Sequence, residues 1–175
     1  MPTVAPLDLD AHVIAVAWLD DLAHFALADG VVHRLHDGHK WSELHDGLLC
    51  ACPDLDAASL LTGGEDGRVM RLLANGKSME LATVGRKWVT SIAAGPQGSV
   101  GFASGRNAYV RFSDGRQREF QHARAAEGLA FAPKGMRLAV ARYNGATLHF
   151  PATEGKPTEL EWAGAHTGAT FSPDG

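Results

Sequence analysis

The chain has 175 residues, of which 45% are apolar, and its 16 lysines and arginines against 20 aspartates and glutamates leave a net charge of −4. This length and composition suit a single globular domain, and the acidic balance argues against general affinity for nucleic acid. No segment approaches the roughly 20 consecutive apolar residues of a membrane helix, and the opening MPTVAPLDLDAH has no export signal. We therefore expect a cytoplasmic protein with no membrane or nucleic-acid partner.

A hairpin pattern recurs in chain order as ADGVVHRLHDG (28–38), EDGRVMRLLANG (65–76), RNAYVRFSDG (106–115) and YNGATLHFPATEG (143–155). Each copy has an Asp or Asn turn, a short strand and a closing Gly turn, and Asp-Gly between apolar runs is a strong hairpin signal. The turn residues Asp29, Asp66, Asn107 and Asn144 lie 37, 41 and 37 positions apart. A second series, AVAWLDD, LCACPDLD, IAAGPQGS, LAFAPKGM and ATFSPDG, runs in phase with the first. The chain is therefore built from a repeat of about 40 residues.

The repeat is predicted to be all-β. Turn residues interrupt the chain about every 8–12 residues, a spacing typical of short antiparallel strands. No 12-residue window keeps a helical apolar stripe between these breakers. Each unit then holds four strands, which in the second unit are LLCACPD, SLLTGGE, RVMRLLA and SMELATV. Four-stranded units in a radial array form a β-propeller, because each blade buries its faces against its neighbours.

Two segments resemble the WD-repeat family. AHTGATFSPDG at 165–175 resembles the opening of a WD repeat, and LLTGGEDGRVMRL resembles its middle. The family's Trp-Asp dipeptide is absent, and Leu-His at 35 and 36, Leu-Leu at 72 and 73, Phe-Ser at 112 and 113, and Phe-Pro at 150 and 151 stand in its place. A large apolar residue still fills each position. The resemblance implies a propeller of about seven blades that acts as a non-enzymatic platform for other proteins.

The repeats divide the chain into blade 1 (13–47), blade 2 (48–87), blade 3 (88–125), blade 4 (126–166) and the first strand of a fifth blade (167–175). Residues 1–12 resemble the strand that closes the family's ring. A ring of seven repeats of about 40–45 residues needs near 300 residues. We therefore expect the 175 residues to be about half of a propeller, which associates with missing C-terminal blades or with a second copy of itself.

The resemblance also implies a structural role for six residues. His12, His45, His122 and His166 each precede a blade's first turn by seven to eleven residues, where the family keeps its structural histidine. Thr62 and Asp66 match the hydroxyl and the acid of the family's hydrogen-bonded tetrad. His45 is therefore expected to bond Asp66 within the second blade.

His33, His36 and His39 lie three apart and are the candidate metal ligands, since imidazole is the commonest zinc ligand. This spacing places consecutive residues on opposite faces of a strand, so exposed histidines are the competing interpretation. Cys50 and Cys52 provide only two ligands and are expected to be reduced thiols. No catalytic or phosphate-binding motif is present, and we expect neither an enzyme nor a cofactor.

The remaining prediction concerns one rim of the propeller, on which the family places the turns between second and third strands and those leading into first strands. Mapped onto this chain, that rim contains Glu65, Arg86, Lys87, Trp88, Arg106, Arg124, Arg142 and Tyr143. Arg and aromatic residues are common at interface hot spots, so this rim is predicted to bind an acidic protein segment. Trp88 has a second interpretation, as a plug where the third unit lacks its histidine. The alternative function is a small-ligand or metal-binding propeller, in metal handling, that uses the three-histidine cluster or the central channel.

Overall fold

The computed structural model of the protein describes residues 6–35 and 39–175, which form four antiparallel sheets of four strands each. In every sheet, consecutive strands are hydrogen-bonded neighbours, so the chain completes one sheet before it begins the next. Among the described residues the only helical element is a short 3-10 turn at Pro96–Gly98. None of the described residues belongs to a helix that is long and apolar enough to cross a bilayer.

The sixteen strands divide evenly among the sheets. Sheet 1 contains β1 (Val13–Leu19), β2 (Leu22–Leu27), β3 (Val31–Leu35) and β4 (His39–Glu43). Sheet 2 contains β5 (Leu48–Pro53), β6 (Ser59–Gly64), β7 (Arg68–Leu73) and β8 (Ser78–Thr83). Sheet 3 contains β9 (Ser91–Ala94), β10 (Val100–Ser104), β11 (Asn107–Arg111) and β12 (Gln117–Gln121). Sheet 4 contains β13 (Gly128–Phe131), β14 (Leu138–Arg142), β15 (Gly145–His149) and β16 (Thr158–Glu161).

The all-β propeller class predicted from the repeats is confirmed, as are the four strands predicted in the second unit. The hairpin between β6 and β7 shows why its turn needs Asp-Gly. Gly67 has a φ of 78°, and a Cβ there would collide with the carbonyl oxygen of Gly85. Asp66 accepts the Arg68 backbone N–H at 3.0 Å and so closes the turn with its side chain.

The core lies between successive sheets, because side chains on a strand alternate between its two faces. In β6, the neighbouring residues Leu60 and Leu61 are both buried, yet they belong to different clusters. Leu60 packs with Leu19 and Leu48 between sheets 1 and 2, whereas Leu61 packs with Phe102 between sheets 2 and 3. A third cluster joins sheets 3 and 4. A central sheet is thus apolar on both faces, which explains its continuous hydrophobic strands.

The first and last sheets each have an outer face that no described sheet covers. On sheet 1 this face exposes Trp18 and Trp41, with 65% and 64% of their surface accessible. On sheet 4, the tail of residues 168–172 borders a groove of ≈ 540 Å³ whose floor is lined by Ala139, Ala141 and Ala146. Residues 167–175 and 6–12 form no strand, because a strand requires a hydrogen-bonded neighbour. The predicted start of a fifth blade is therefore coil, and residues 1–5 of the predicted closing strand lie outside the described residues.

Antiparallel pairing sorts the turns into two rims. The first rim contains the turns between second and third strands and the connections between sheets. The second rim contains the turns between first and second strands and between third and fourth strands. The two rims carry different side chains.

Candidate interaction site

The structure brings together the three residues of the second unit that the family resemblance linked. His45 donates its Nδ1–H to the Asp66 carboxylate at 3.0 Å, and its Nε2 accepts the Thr62 hydroxyl at 2.9 Å. Arg68 donates from its Nε to the other Asp66 oxygen at 2.8 Å. Burial lowers the pKa of His45 against the opposing effect of Asp66. Burial alone would raise the pKa of Asp66, but the hydrogen bonds from His45 and Arg68 outweigh it and the pKa lies below its ordinary value.

A hydroxyl, an imidazole and a carboxylate in a row also match the geometry of a hydrolase triad. Burial decides between the two roles. Thr62 and the His45 side chain have no accessible surface, and their polar atoms are already bonded to one another and to Asp66, so the hydroxyl is not available to a substrate. The network therefore ties the turn before β7 to the start of the sheet, which is a structural task.

The other three predicted structural histidines have different surroundings. His12 is exposed and directly precedes β1. His166 is half-buried and its Nε2–H is 2.9 Å from the Trp162 carbonyl oxygen. His122 is buried, but its Nε2 lies 3.3 Å from Nε2 of His149 in sheet 4 instead of bonding a turn residue. In the fourth unit, the turn position that Asp66 occupies in the second unit is held by Asn144. Its side-chain oxygen accepts the backbone N–H of Gly164 and does not bond His122.

The His122–His149 pair, which sequence reasoning missed, lies in the seam between sheets 3 and 4. The His149 ring also packs against Phe120, with centroids 4.3 Å apart. Burial and the neighbouring His122 lower the pKa of His149 to about 4. Burial likewise lowers the pKa of His122. Both rings are therefore neutral near pH 7, and one donates its Nε2–H to the other.

The predicted binding residues all lie on or beside the first rim, but only three of them line one groove. Lys87, Trp88 and Arg106 border an open groove of ≈ 580 Å³ at the rim of sheet 3. Trp88 is 56% accessible, so it is a surface residue and does not plug the interior. The groove is completed by Thr90, Ser104, Gly105, Asn107 and Gln121, and it has no carboxylate in its lining.

Glu65, Arg124 and Tyr143 are exposed at other turns of the same rim and do not line this groove. Arg86 belongs to the same connection as Lys87 and is exposed, but it does not line the groove either. Arg142 is different, because its guanidinium is already hydrogen-bonded within sheet 4. It donates to the Thr147 hydroxyl, to the Tyr143 carbonyl oxygen and to Glu159. These contacts stabilise sheet 4 and leave its side chain 17% accessible.

Arg142 also borders a second groove of the first rim, of ≈ 420 Å³, together with Asn144, Glu161 and Trp162. Trp162 is the most exposed tryptophan, with 75% of its surface accessible. It follows β16 directly and was not among the residues assigned to the rim. This groove carries a carboxylate and is therefore less basic than the groove of sheet 3.

The three-histidine cluster proposed as metal ligands lies on and after β3. His36 lies outside the described residues, as do the side-chain surroundings of His39. His33 lies opposite Trp41 on the outer face of sheet 1. Within the described part of the chain, no three His, Cys, Asp or Glu side chains are grouped as metal ligands. Burial raises the pKa of Cys50 to about 12 and that of Cys52 to about 11, which disfavours thiolate chemistry.

Comparison with known proteins identifies the fold alone. No family model and no curated protein matches the sequence. Among solved structures, the chain is similar to a component of the mitotic checkpoint complex, with a TM-score of 0.73 and 16% identity over 93% of this chain and 56% of that chain. It is also similar to a catalytically inactive virginiamycin B lyase from Staphylococcus aureus solved with quinupristin, with a TM-score of 0.68 and 16% identity over 89% and 57%. A streptogramin B lyase matches with a TM-score of 0.66 and 16% identity over 88% and 56%.

These structures are β-propellers, and the chain spans a little over half the length of each. Two are lyases and the third belongs to a protein assembly, so the shared fold is compatible with either kind of activity. Function must therefore be argued from the chain's own surface.

Proposed function

We propose that this chain is a non-enzymatic propeller module of WD-repeat type that binds an acidic protein segment in the groove formed by Lys87, Trp88 and Arg106. The observation that carries the proposal is a basic, aromatic groove, and no carboxylate is found among the described residues that line it. An acidic side chain placed there would meet two cations, and a neighbouring apolar side chain would pack against the exposed indole ring. Such pairing mainly sets specificity and association rate.

The ion pairs elsewhere in the chain support this assignment. Five arginines are paired with a carboxylate in the described residues, namely Arg68, Arg71, Arg116, Arg118 and Arg142. Lys87 and Arg106 have no such partner among the described residues. In a chain with net charge −4, two adjacent cations without an internal counter-charge are available to an external one.

Two features favour binding over catalysis. The groove contains Thr90 and Ser104 but no histidine or carboxylate to activate a hydroxyl. The one hydroxyl–imidazole–carboxylate row is buried, as described above for Thr62. A small-ligand or metal function based on His33, His36 and His39 has no comparable support from the described residues.

The test compares two double variants of equal charge change. Lys87→Glu with Arg106→Glu reverses the groove, whereas Lys77→Glu with Lys134→Glu reverses two exposed lysines of the second rim. The probe is a fluorescent peptide rich in Glu and Asp with one central Leu, followed by anisotropy at low and at physiological salt. A peptide with Gln and Asn in place of the acids serves as the uncharged control.

We expect the unmodified protein to bind the acidic peptide, with affinity that falls as salt rises. The groove variant should lose at least about tenfold in affinity, since charged hydrogen bonds contribute ~1.5–3 kcal/mol each. The second-rim variant should bind nearly as the unmodified protein does. Equal losses in both variants would mean that only net charge matters, and binding of the uncharged peptide would contradict the acidic preference.

A further inference from the structure

A small pocket lies between sheets 1 and 2 at the second rim, far from the groove discussed above. Its volume is ≈ 220 Å³, which is below the roughly 300–1,000 Å³ of pockets that hold drug-sized ligands. The polar residues that line it are His24, Arg34, Lys40, Ser42 and Asn75. The pocket therefore has room for a small ion or functional group and is lined by hydrogen-bonding side chains.

His24 is the unusual member of this pocket. The residue is 1% accessible, and its Nδ1–H donates to the Leu22 carbonyl oxygen at 2.9 Å. That bond fixes the tautomer and leaves Nε2 as an acceptor. Nε2 is buried and has no hydrogen-bond partner among the described residues. A buried acceptor without a partner is costly, so a bound group that donates a proton to it would remove this cost.

The charge of the pocket is one-sided. Arg34 and Lys40 line it, and none of the described residues that line it is a carboxylate. Arg34 is held across the seam by its bond to the Ala74 carbonyl oxygen in sheet 2. Gly76 lies beside this guanidinium. A Cβ at that position would be about 4 Å from both terminal nitrogens of Arg34 and from the Ser42 hydroxyl. The glycine thus keeps the space beside the guanidinium open.

His24 itself remains neutral near pH 7. Burial lowers its pKa and the neighbouring Arg34 adds to that effect, whereas the Leu22 carbonyl and Asp20 act in the opposite direction. Its unpaired nitrogen therefore accepts a hydrogen bond and does not donate one. A ligand that suits the pocket must be anionic for the two cations and must also carry an O–H for His24.

We propose that this pocket binds a singly protonated phosphate group, such as hydrogen phosphate, with its P–O–H directed to Nε2 of His24. Arg34 and Lys40 neutralise the charged oxygens, and Ser42 and Asn75 donate the remaining hydrogen bonds. Sulfate has the same shape and charge but no proton at neutral pH. It would leave His24 without a donor, so discrimination between the two ions is the signature of the site.

The experiment is calorimetric titration of the full chain with inorganic phosphate at pH 7.5, compared with sodium sulfate at equal ionic strength. We expect one phosphate site, with sulfate bound roughly 5- to 150-fold more weakly, since an unsatisfied buried polar group costs ~1–3 kcal/mol. Lys40→Gln should weaken phosphate binding by a similar factor. Lys77→Gln makes the same chemical change on the same rim outside the pocket lining and should have no effect.

Replacement of His24 risks unfolding the seam, so its role is followed in the unmodified protein by the ¹⁵N resonances of its imidazole. Phosphate should shift the Nε2 resonance of His24, while the resonances of buried His45 stay unchanged. O-phosphoserine at pH 6, where a phosphate monoester keeps part of its proton, distinguishes a site for free phosphate from one for a phosphorylated partner. Absence of heat and of any His24 shift at about 10 mM phosphate would overturn the proposal. Equal binding of sulfate, or equal loss in Lys40→Gln and Lys77→Gln, would also overturn it.

Discussion

Replacement of Asp66 by alanine should destabilise the protein without touching the proposed groove. The Asp66 carboxylate accepts the Nδ1–H of His45 and two N–H groups of Arg68. Arg68 is partly exposed and can turn to water, but His45 is buried and cannot. The stability lost should therefore be dominated by the histidine.

The size of this stability loss follows from the Nδ1–H of His45, which the substitution leaves without an acceptor. A buried N–H left without an acceptor costs ~1–3 kcal/mol, and in a domain of this size each 1 kcal/mol lowers the melting temperature by about 2–4 °C. Asp66→Ala should therefore melt about 2–12 °C lower than a variant that loses the arginine contacts alone. Differential scanning calorimetry at pH 7.5 measures this difference.

The chain provides a matched control for those arginine contacts. Asp114 accepts the backbone N–H of Arg116 at 2.9 Å and its Nε at 2.7 Å, which repeats the geometry of Asp66 with Arg68. Asp114 is exposed and has no histidine partner among the described residues. Asp114→Ala should leave the melting temperature nearly unchanged. If Asp66→Ala and Asp114→Ala melted together, the buried network would not hold the turn and this reasoning would be refuted.

Two further predictions concern acid stability and association. Between about pH 6.5 and pH 4, His149 is protonated in the unfolded chain but stays neutral in the folded protein. As the pH is lowered through this range, the free energy of unfolding should therefore decrease by up to ~1.4 kcal/mol per pH unit from this residue. Urea unfolding of His149→Gln should show a shallower pH dependence, and an identical slope would exclude the pair as its source. The outer faces of sheets 1 and 4 should make the chain self-associate at tens of micromolar, and a compact monomer in sedimentation equilibrium would refute this.

Much of the fold could be predicted because its determinants are local. The turn before β7 is specified by Asp66 and Gly67, and the four strands of sheet 2 follow from the spacing of such turns. Where pairing depends on a partner strand, the local pattern was insufficient. The ATFSPDG motif predicts a strand within 167–175, whereas these residues are coil and pair with none of the described strands.

The candidate sites were less accessible to sequence reasoning, because they combine residues from different strands. Lys87, Trp88 and Arg106 could be placed on one rim from turn positions alone. The pairing of Arg142 with Glu159 could not, since the carboxylate belongs to another strand of the sheet. The repeat also gave no indication of which side chains meet between sheets, so the His122–His149 seam was missed.

The phosphate pocket was missed for the same reason. His24 and Arg34 come from sheet 1 and Asn75 comes from the next sheet. No short sequence motif contains all three residues. In addition, the apolar residues around His24 in β2 predict a core position for it and not a binding role. Only the register of β2 against β3, which pairs His24 with Arg34, brings the imidazole beside the guanidinium.

The internal seams indicate how two copies should meet. Sheet 1 presents Ala17 and Ala26 to Leu48 and Leu60 of sheet 2.

Sheet 3 likewise presents Ala103 and Ala108 to Leu129 and Leu138 of sheet 4. In these two seams, alanines of one sheet lie against leucines of the sheet that follows in sequence, beside larger residues such as Leu19 and Val110. The outer face of sheet 4 also carries alanines, and the outer face of sheet 1 carries the large side chain of Trp18. By analogy with the alanine–leucine contacts, we expect a head-to-tail contact, with sheet 4 of one copy against sheet 1 of another.

Mixing two variants tests this orientation. Trp18→Glu places a charge on the outer face of sheet 1 only. Leu160→Glu places a charge on the outer face of sheet 4 only, because Leu160 is 54% accessible and lies beside the groove of that face. Each variant alone should be monomeric, because every head-to-tail contact would include one spoiled face. Together they retain one intact contact and should form a one-to-one dimer in sedimentation velocity. Association that used like faces would instead leave each variant able to dimerise alone through its intact face, and that result would exclude the head-to-tail arrangement.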